Sequence, residues 1–210
     1  MAAQTIGQQI LDGLMATGPV EFIAVVAGIT AVFLERAENI WLYPVGLINT
    51  ILYIYLSLNG HLYGEASVNL FYTIISIYGW ILWARRNKQN QPALQITFST
   101  TREWQLQLIF FGVCYLVLFA ALTWLKQFFP GALPAFDAFA AASAYTAMLM
   151  MARKKVETWY WWLATNMVSI PLYFVKGYAF SSVQFIVFTI LTVLGMIAWR
   201  KKAIINAAMC

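Results

Sequence analysis

Apolar residues run almost unbroken through seven stretches of this chain, at about 20–35, 40–58, 66–84, 105–126, 134–152, 158–175 and 180–199. A bilayer core is crossed by roughly 20 residues of helix at about 1.5 Å per residue, so each stretch predicts a transmembrane helix. The connections carry turn chemistry. Asn59-Gly60 and Lys176-Gly177 signal tight turns, Pro130-Gly131 followed by Pro134 opens the fifth stretch, and Arg85 to Arg102 forms one extended polar loop. From Thr5 to Met15, Ile6, Ile10, Leu11 and Leu14 lie beside Gln8, Gln9 and Asp12, an amphipathic pattern too short to span. It predicts a short N-terminal helix lying at the interface. The expected fold class is an all-α integral membrane protein with seven transmembrane helices.

The pattern repeats within the chain. Sliding the sequence by 116 places Glu21 on Asp137, Ala24 on Ala140, Thr30 on Thr146, Ala31 on Ala147, Thr73 on Thr189, Gly79 on Gly195 and Trp83 on Trp199. A shift of 117 pairs Asn49 with Asn166 and Gly60 with Gly177. Three spans are therefore repeated, and the single span between them restores their orientation, so the plan is 3+1+3 with parallel repeats about an axis along the membrane normal. The predicted divisions are an amphipathic segment at 1–19, a first three-helix repeat at 20–84, a cytoplasmic loop and linker helix at 85–130, a second repeat at 131–200 and a cytoplasmic tail at 201–210.

Composition agrees with the pattern: 62% of 210 residues are hydrophobic, 10% are charged, and mean hydropathy is +0.71. The formal net charge of +5 raises the question of a nucleic-acid partner, but the basic residues form short clusters between apolar runs, which argues against one. Alternate loops hold Arg36, then Arg85, Arg86, Lys88 and Arg102, then Arg153, Lys154 and Lys155, then Arg200, Lys201 and Lys202. Only Lys126 and Lys176, of 13 basic residues, fall in the others. By the positive-inside rule the C-terminus is cytoplasmic and the N-terminus outside. Cys114 and Cys210 give no disulfide framework, and the first residues lack the pattern of a cleaved leader.

Candidate chemistry concentrates on the sixth span. Trp159, Trp162, Asn166, Ile170 and Tyr173 are spaced by 3, 4, 4 and 3, which puts two indoles, a carboxamide and a phenol on one helical stripe. Such a face can hold a flat polar molecule within a membrane. Other polar residues at comparable depth are Asn49 and Tyr53 on the second span, Asn69, Tyr72, Thr73 and Ser76 on the third, and Gln184 and Thr192 on the seventh. A carboxamide in hydrocarbon must bond another helix or face a wet cavity. Trp41, Trp104, Trp124 and Trp161 lie near span ends, where tryptophan anchors helices at the interface. Glu21, Glu65 and Asp137 lie at outer span ends and Glu35, Glu38, Glu103 and Glu157 at inner ones, so none is placed as a midspan proton relay. His61 is a lone loop histidine. No phosphate-binding loop, activated nucleophile or metal-ligand cluster is present in the sequence. Neither an enzyme nor a bound cofactor or metal is expected.

The spacing W-x-x-W-x-x-x-N-x-x-x-I-x-x-Y from Trp159 to Tyr173 resembles the signature of the PnuC family of bacterial vitamin transporters, and the 3+1+3 plan resembles that family and the SWEET sugar carriers. The resemblance implies uptake of nicotinamide riboside across the bacterial inner membrane by facilitated diffusion. A separate cytosolic kinase would trap the cargo, and a homotrimer would carry one pathway in each protomer. The cargo would lie against Trp159, Trp162, Asn166, Ile170 and Tyr173, with Asn49, Tyr53, Asn69, Tyr72, Thr73 and Gln184 in support. A PnuC-like carrier of thiamine or riboflavin, or a SWEET-like sugar carrier, is the alternative; the Pro-Gln dipeptide of the sugar carriers is absent, since Pro44 and Pro171 precede Val and Leu.

Overall fold

The computed structural model describes residues 19–59, 63–87, 90, 92–127, 133–175 and 179–208. The Thr5 to Met15 segment, Gly60, His61, Lys88, the Pro130-Gly131 and Lys176-Gly177 turns and Cys210 lie outside the described residues, as do the side chains of Glu21 and Glu65.

The described residues form seven helices: α1 Pro19–Arg36, α2 Leu42–Asn59, α3 Tyr63–Ala84, α4 Thr101–Leu125, α5 Pro134–Ala152, α6 Thr158–Val175 and α7 Ala179–Ala208. By length and composition, α2, α4, α5 and the Gln184–Ala208 part of α7 can cross a membrane. The others are 18 to 22 residues long. Of these, α1 carries Glu21, Glu35 and Arg36, α6 carries tryptophans, threonines and an asparagine, and α3 has a shorter apolar stretch at Val68–Ala84. Two boundaries differ from expectation. Helix α4 starts at Thr101 because Thr100 and Glu103 form a reciprocal capping box. Helix α7 runs through the predicted tail to Ala208, where buried Ala203 packs on the core and Asn206 Nδ2 donates to the Ile96 carbonyl. Ile96 is itself fully buried, so the predicted polar loop contributes a residue to the core.

Helices α1, α2 and α3 pack in series, α5, α6 and α7 pack in series, and α4 packs on α5. The two groups meet through α3 on α5 and α1 on α7. Positions 116 apart behave alike. Helix α1 ends with Asn39 N donating to Leu34 O and Glu38 N to Glu35 O; α5 ends with Lys155 N donating to Met150 O and Lys154 N to Met151 O. Both ends are left-handed caps, with Glu38 at φ 58° and Lys154 at φ 51°. Tyr43 and Trp83 meet edge-on at 5.3 Å, and Trp159 and Trp199 do so at 5.6 Å. Each first partner fills the space above a glycine: a Cβ at Gly79 would overlap the Tyr43 ring, and one at Gly195 would overlap the Trp159 ring.

Those two glycines make a direct test of the packing. Gly79→Ala and Gly195→Ala are each expected to lower thermal stability by about 1–3 kcal/mol, because a rigid buried ring has no room to retreat. Gly112→Ala on α4, where nothing lies within 4 Å of an added Cβ, is expected to leave stability unchanged or raise it by about 0.5–1 kcal/mol. Melting curves of the three purified variants decide the matter, and similar midpoints for all three would refute it.

Candidate functional site

The stripe on α6 faces the protein, since Met167, Phe174 and Val175 on the other side of the helix are exposed. Trp159 is buried against Gly195 and Trp199 of α7, and Trp162, one turn deeper, is half-buried. Asn166, 3% exposed, donates through Nδ2 to Thr192 Oγ1 at 3.2 Å. Ile170 is half-buried, and Tyr173 stacks on Phe185 of α7 at 5.2 Å. Tyr72 of α3 lies within electrostatic reach of Tyr173 and Tyr145 and meets the Tyr145 ring edge-on at 6.0 Å. The structure thus brings the α6 stripe, Thr192 and Tyr72 to the region where the two helix groups meet. Gln184 sits half-buried near the start of α7.

The first helix group uses its polar residues differently. Asn49 Nδ2 donates to the Ala24 carbonyl at 2.7 Å and lies over Gly28, just as Thr165 Oγ1 donates to the Ala140 carbonyl at 3.3 Å. These bonds keep the 116-residue register. They correct the expected pairing of Asn49 with Asn166: Asn49 corresponds to Thr165, and Asn166 corresponds to Thr50. The Asn49 amide holds α2 to α1. The Thr73 hydroxyl lies 3.0 Å from Thr50 Oγ1 and 2.9 Å from the Asn69 carbonyl, sharing its one proton between them, and so links α3 to α2. Asn69 is buried and Tyr53 half-buried.

At the basic end the two groups exchange hydrogen bonds. Trp83 Nε1 donates to the Met151 carbonyl at 3.3 Å and Trp199 Nε1 to the Glu35 carbonyl at 3.0 Å, again 116 positions apart. Beneath them Lys154 Nζ lies 2.6 Å from Glu38 and 4.5 Å above the Trp83 ring, and Lys202 reaches the second Glu38 oxygen at 3.0 Å. Burial by itself would raise the Glu38 carboxyl, but the hydrogen bonds and charge of Lys154 and then Lys202 outweigh it and hold it below the usual carboxylate range.

Three residues expected at solvated or interfacial span ends are buried instead. Trp161 donates to Gln107 Oε1 at 2.9 Å, Gln107 donates to Ser99, and Ser99 donates to Glu157. This chain ties α4 and the preceding loop to the start of α6. The third is Glu35, 5% exposed, with Oε1 unpartnered. By contrast Trp41 and Trp124 are exposed at helix ends, as anchors are. Among the described residues no group of three or more His, Cys, Asp or Glu could hold a metal.

A groove of about 470 Å³ opens beside Glu38, Ile40, Trp83, Arg86 and Lys154, and another of about 380 Å³ lies between α4 and α5. Neither is lined by the α6 stripe. At the basic end Trp159 and Trp162 of the stripe pack with Tyr43, Trp83 and Trp199 in one aromatic cluster.

Comparison with known proteins places this geometry in context. Residues 18–201 match the family described as nicotinamide mononucleotide transporter. The chain is 25% identical over 205 residues to the nicotinamide riboside transporter PnuC of Escherichia coli, covering 88% of this chain and 86% of that one. It is 26% identical over 187 residues to the riboflavin/roseoflavin transporter RibM of Streptomyces davaonensis, covering 87% and 85%. A crystal structure of the vitamin B3 transporter PnuC superposes with a TM-score of 0.70 at 24% identity, covering 94% of this chain and 88% of that one.

The Glu38 latch predicts a pH dependence. A carboxyl held low in the folded protein contributes stability above its unfolded pKa of about 4.3, and that contribution is lost as pH falls through the lower folded value. Acidification from about pH 6 to 3 is therefore expected to cost the wild type more stability than Glu38→Gln. Parallel melting curves would contradict this.

Proposed function

Because the chain belongs to the nicotinamide mononucleotide transporter family, we propose that it carries nicotinamide riboside across the bacterial inner membrane by facilitated diffusion. The observation that carries the reading is the inward α6 face, where Trp162, Asn166 and Tyr173 are joined by Thr192 and Tyr72, and where among the described residues no contact joins a lysine or arginine to them. Aromatic faces attract a desolvated ring cation by roughly 0.5–2 kcal/mol each. Amide and hydroxyl groups bond a carboxamide and a ribose. A phosphorylated cargo would bring negative charge that nothing in this face receives, so the nucleoside is favoured over the nucleotide. The substrate-binding set is Trp159, Trp162, Asn166, Ile170, Tyr173, Tyr72 and Gln184; Asn49, Tyr53, Asn69 and Thr73 shape the first helix group around them.

The 3+1+3 plan is supported by the matched caps, aromatic pairs and exchanged indole bonds at positions 116 apart. The basic clusters put the C-terminus in the cytoplasm and the N-terminus outside. Trapping falls to a separate cytosolic kinase. A homotrimer is consistent with α4, whose Leu106, Ile109, Val113, Leu116 and Val117 are exposed. Riboflavin is the second reading, on the strength of the RibM relative at matching identity.

Calorimetry on purified protein separates the cargoes. Nicotinamide riboside is expected to bind, and Trp162→Ala and Asn166→Ala are each expected to weaken it at least tenfold, about 1.4 kcal/mol, with expression and monodispersity unchanged. Binding of riboflavin or thiamine alone would overturn the assignment, and full affinity in both variants would remove the α6 face from the site.

A uniport needs no second ion, since inward movement of a cationic cargo is favoured by roughly 2.3 kcal/mol per 100 mV of inside-negative potential. In proteoliposomes, labelled nicotinamide riboside should exchange against internal unlabelled cargo without a proton or sodium gradient. A final level that depends on either gradient at constant potential would show coupling.

A further inference from the structure

Five buried side-chain polar atoms lack a hydrogen-bond partner among the described residues, and four of them are Glu35 Oε1, the Tyr43 hydroxyl, Trp159 Nε1 and Trp162 Nε1. They belong to one neighbourhood. Tyr43 and Trp162 both lie close enough to act on the Glu35 carboxyl, although the Trp162 N–H does not reach hydrogen-bond geometry with Oε1. Trp199, edge-on to Trp159, donates to the Glu35 backbone carbonyl. Lys154 and Lys202 are committed elsewhere, since both bind Glu38 three residues further on. The corresponding position in the second helix group is Met151, so the acid is not part of the repeated scaffold.

A buried carboxylate oxygen without a partner is costly, and its surroundings normally evolve to neutralise it or remove it. Here they include the Trp162 indole and the Tyr43 phenol. An acid faced by aromatic rings is the arrangement that receives an organic cation: the rings attract its face, and the carboxylate supplies the charge that aromatic faces alone do not. Trp162 links this acid to the α6 stripe, with Asn166 one turn further along.

We propose that Glu35 is a specificity-determining residue whose carboxylate is the counter-charge for the cationic ring of the cargo, selecting a charged pyridinium nucleoside over a neutral ring of the same shape. The proposal rests on the cargo reading above. Binding would satisfy the acid and the indole N–H groups together. A neutral ring would leave the carboxyl as unpaired as it is now.

Nicotinamide riboside and its uncharged dihydro form are near-isosteric and make the test. By calorimetry on full-length detergent-purified protein, the wild type is expected to bind the cationic form at least tenfold more tightly than the dihydro form. Glu35→Gln, checked for monodispersity, is expected to lose at least tenfold in affinity for the cation while changing less than about twofold for the dihydro form, and Glu35→Asp is expected to retain a preference for the cation. Equal affinity of the wild type for the two forms overturns the role of Glu35 while leaving the cargo reading intact, and does so whether or not the glutamine variant folds. Equal losses for both ligands in monodisperse Glu35→Gln would make Glu35 a packing residue. A wild type that binds neither form overturns the cargo reading, and this role with it.

Discussion

Two indole N–H groups, Trp83 reaching the Met151 carbonyl and Trp199 reaching the Glu35 carbonyl, tie the two three-helix groups together at the basic end. Each bond goes to a carbonyl at a helix C-terminus that also accepts from the backbone N–H of the cap, so the indole uses its second lone pair. In a bilayer such groups must find partners within the protein. The left-handed caps at Glu38 and Lys154 then turn the chain so that these two corresponding residues meet as an ion pair. Helix ends, aromatic packing and charge therefore converge on one closure.

The division between what is repeated and what is not separates scaffold from site. Tyr43 and Trp159, Gly79 and Gly195, and Trp83 and Trp199 do the same packing work in both groups. Asn49 and Thr165 both hold a middle helix to a first helix. The α6 stripe breaks the pattern: Trp162, Asn166 and Tyr173 correspond to Gly46, Thr50 and Ser57. Glu35 breaks it on the other side, standing where the second group has Met151. The matched packing thus carries an unmatched set of polar and aromatic groups.

Much was legible in the linear pattern because membrane insertion constrains sequence so strongly. Apolar runs of bilayer length, turn dipeptides and basic clusters are local signals, and a helical stripe needs only its own spacing, so the seven helices and the inward face of α6 follow without knowledge of neighbours. The 116-residue repeat was equally visible, since paired glycine and tryptophan landmarks survive where the general apolar background conveys nothing.

What tertiary structure alone decided is the fate of each polar group. Asn49 and Asn166 look equivalent as amides within apolar runs, yet one is committed to Ala24 on α1 and the other reaches Thr192 on α7. Trp161 and Glu157 have the positions of an interface anchor and a solvated acid, but Gln107 and Ser99 enclose them in one hydrogen-bonded chain. Glu35 and Glu38 are three residues apart at the end of one helix, and only the arrival of Lys154 and Lys202 from distant segments pairs one and leaves the other open. The free energy of a polar or charged group is set by the partners and water within a few ångströms of it. Those partners come from residues far away in the chain, so periodicity can place a side chain on a face but cannot say what the face meets.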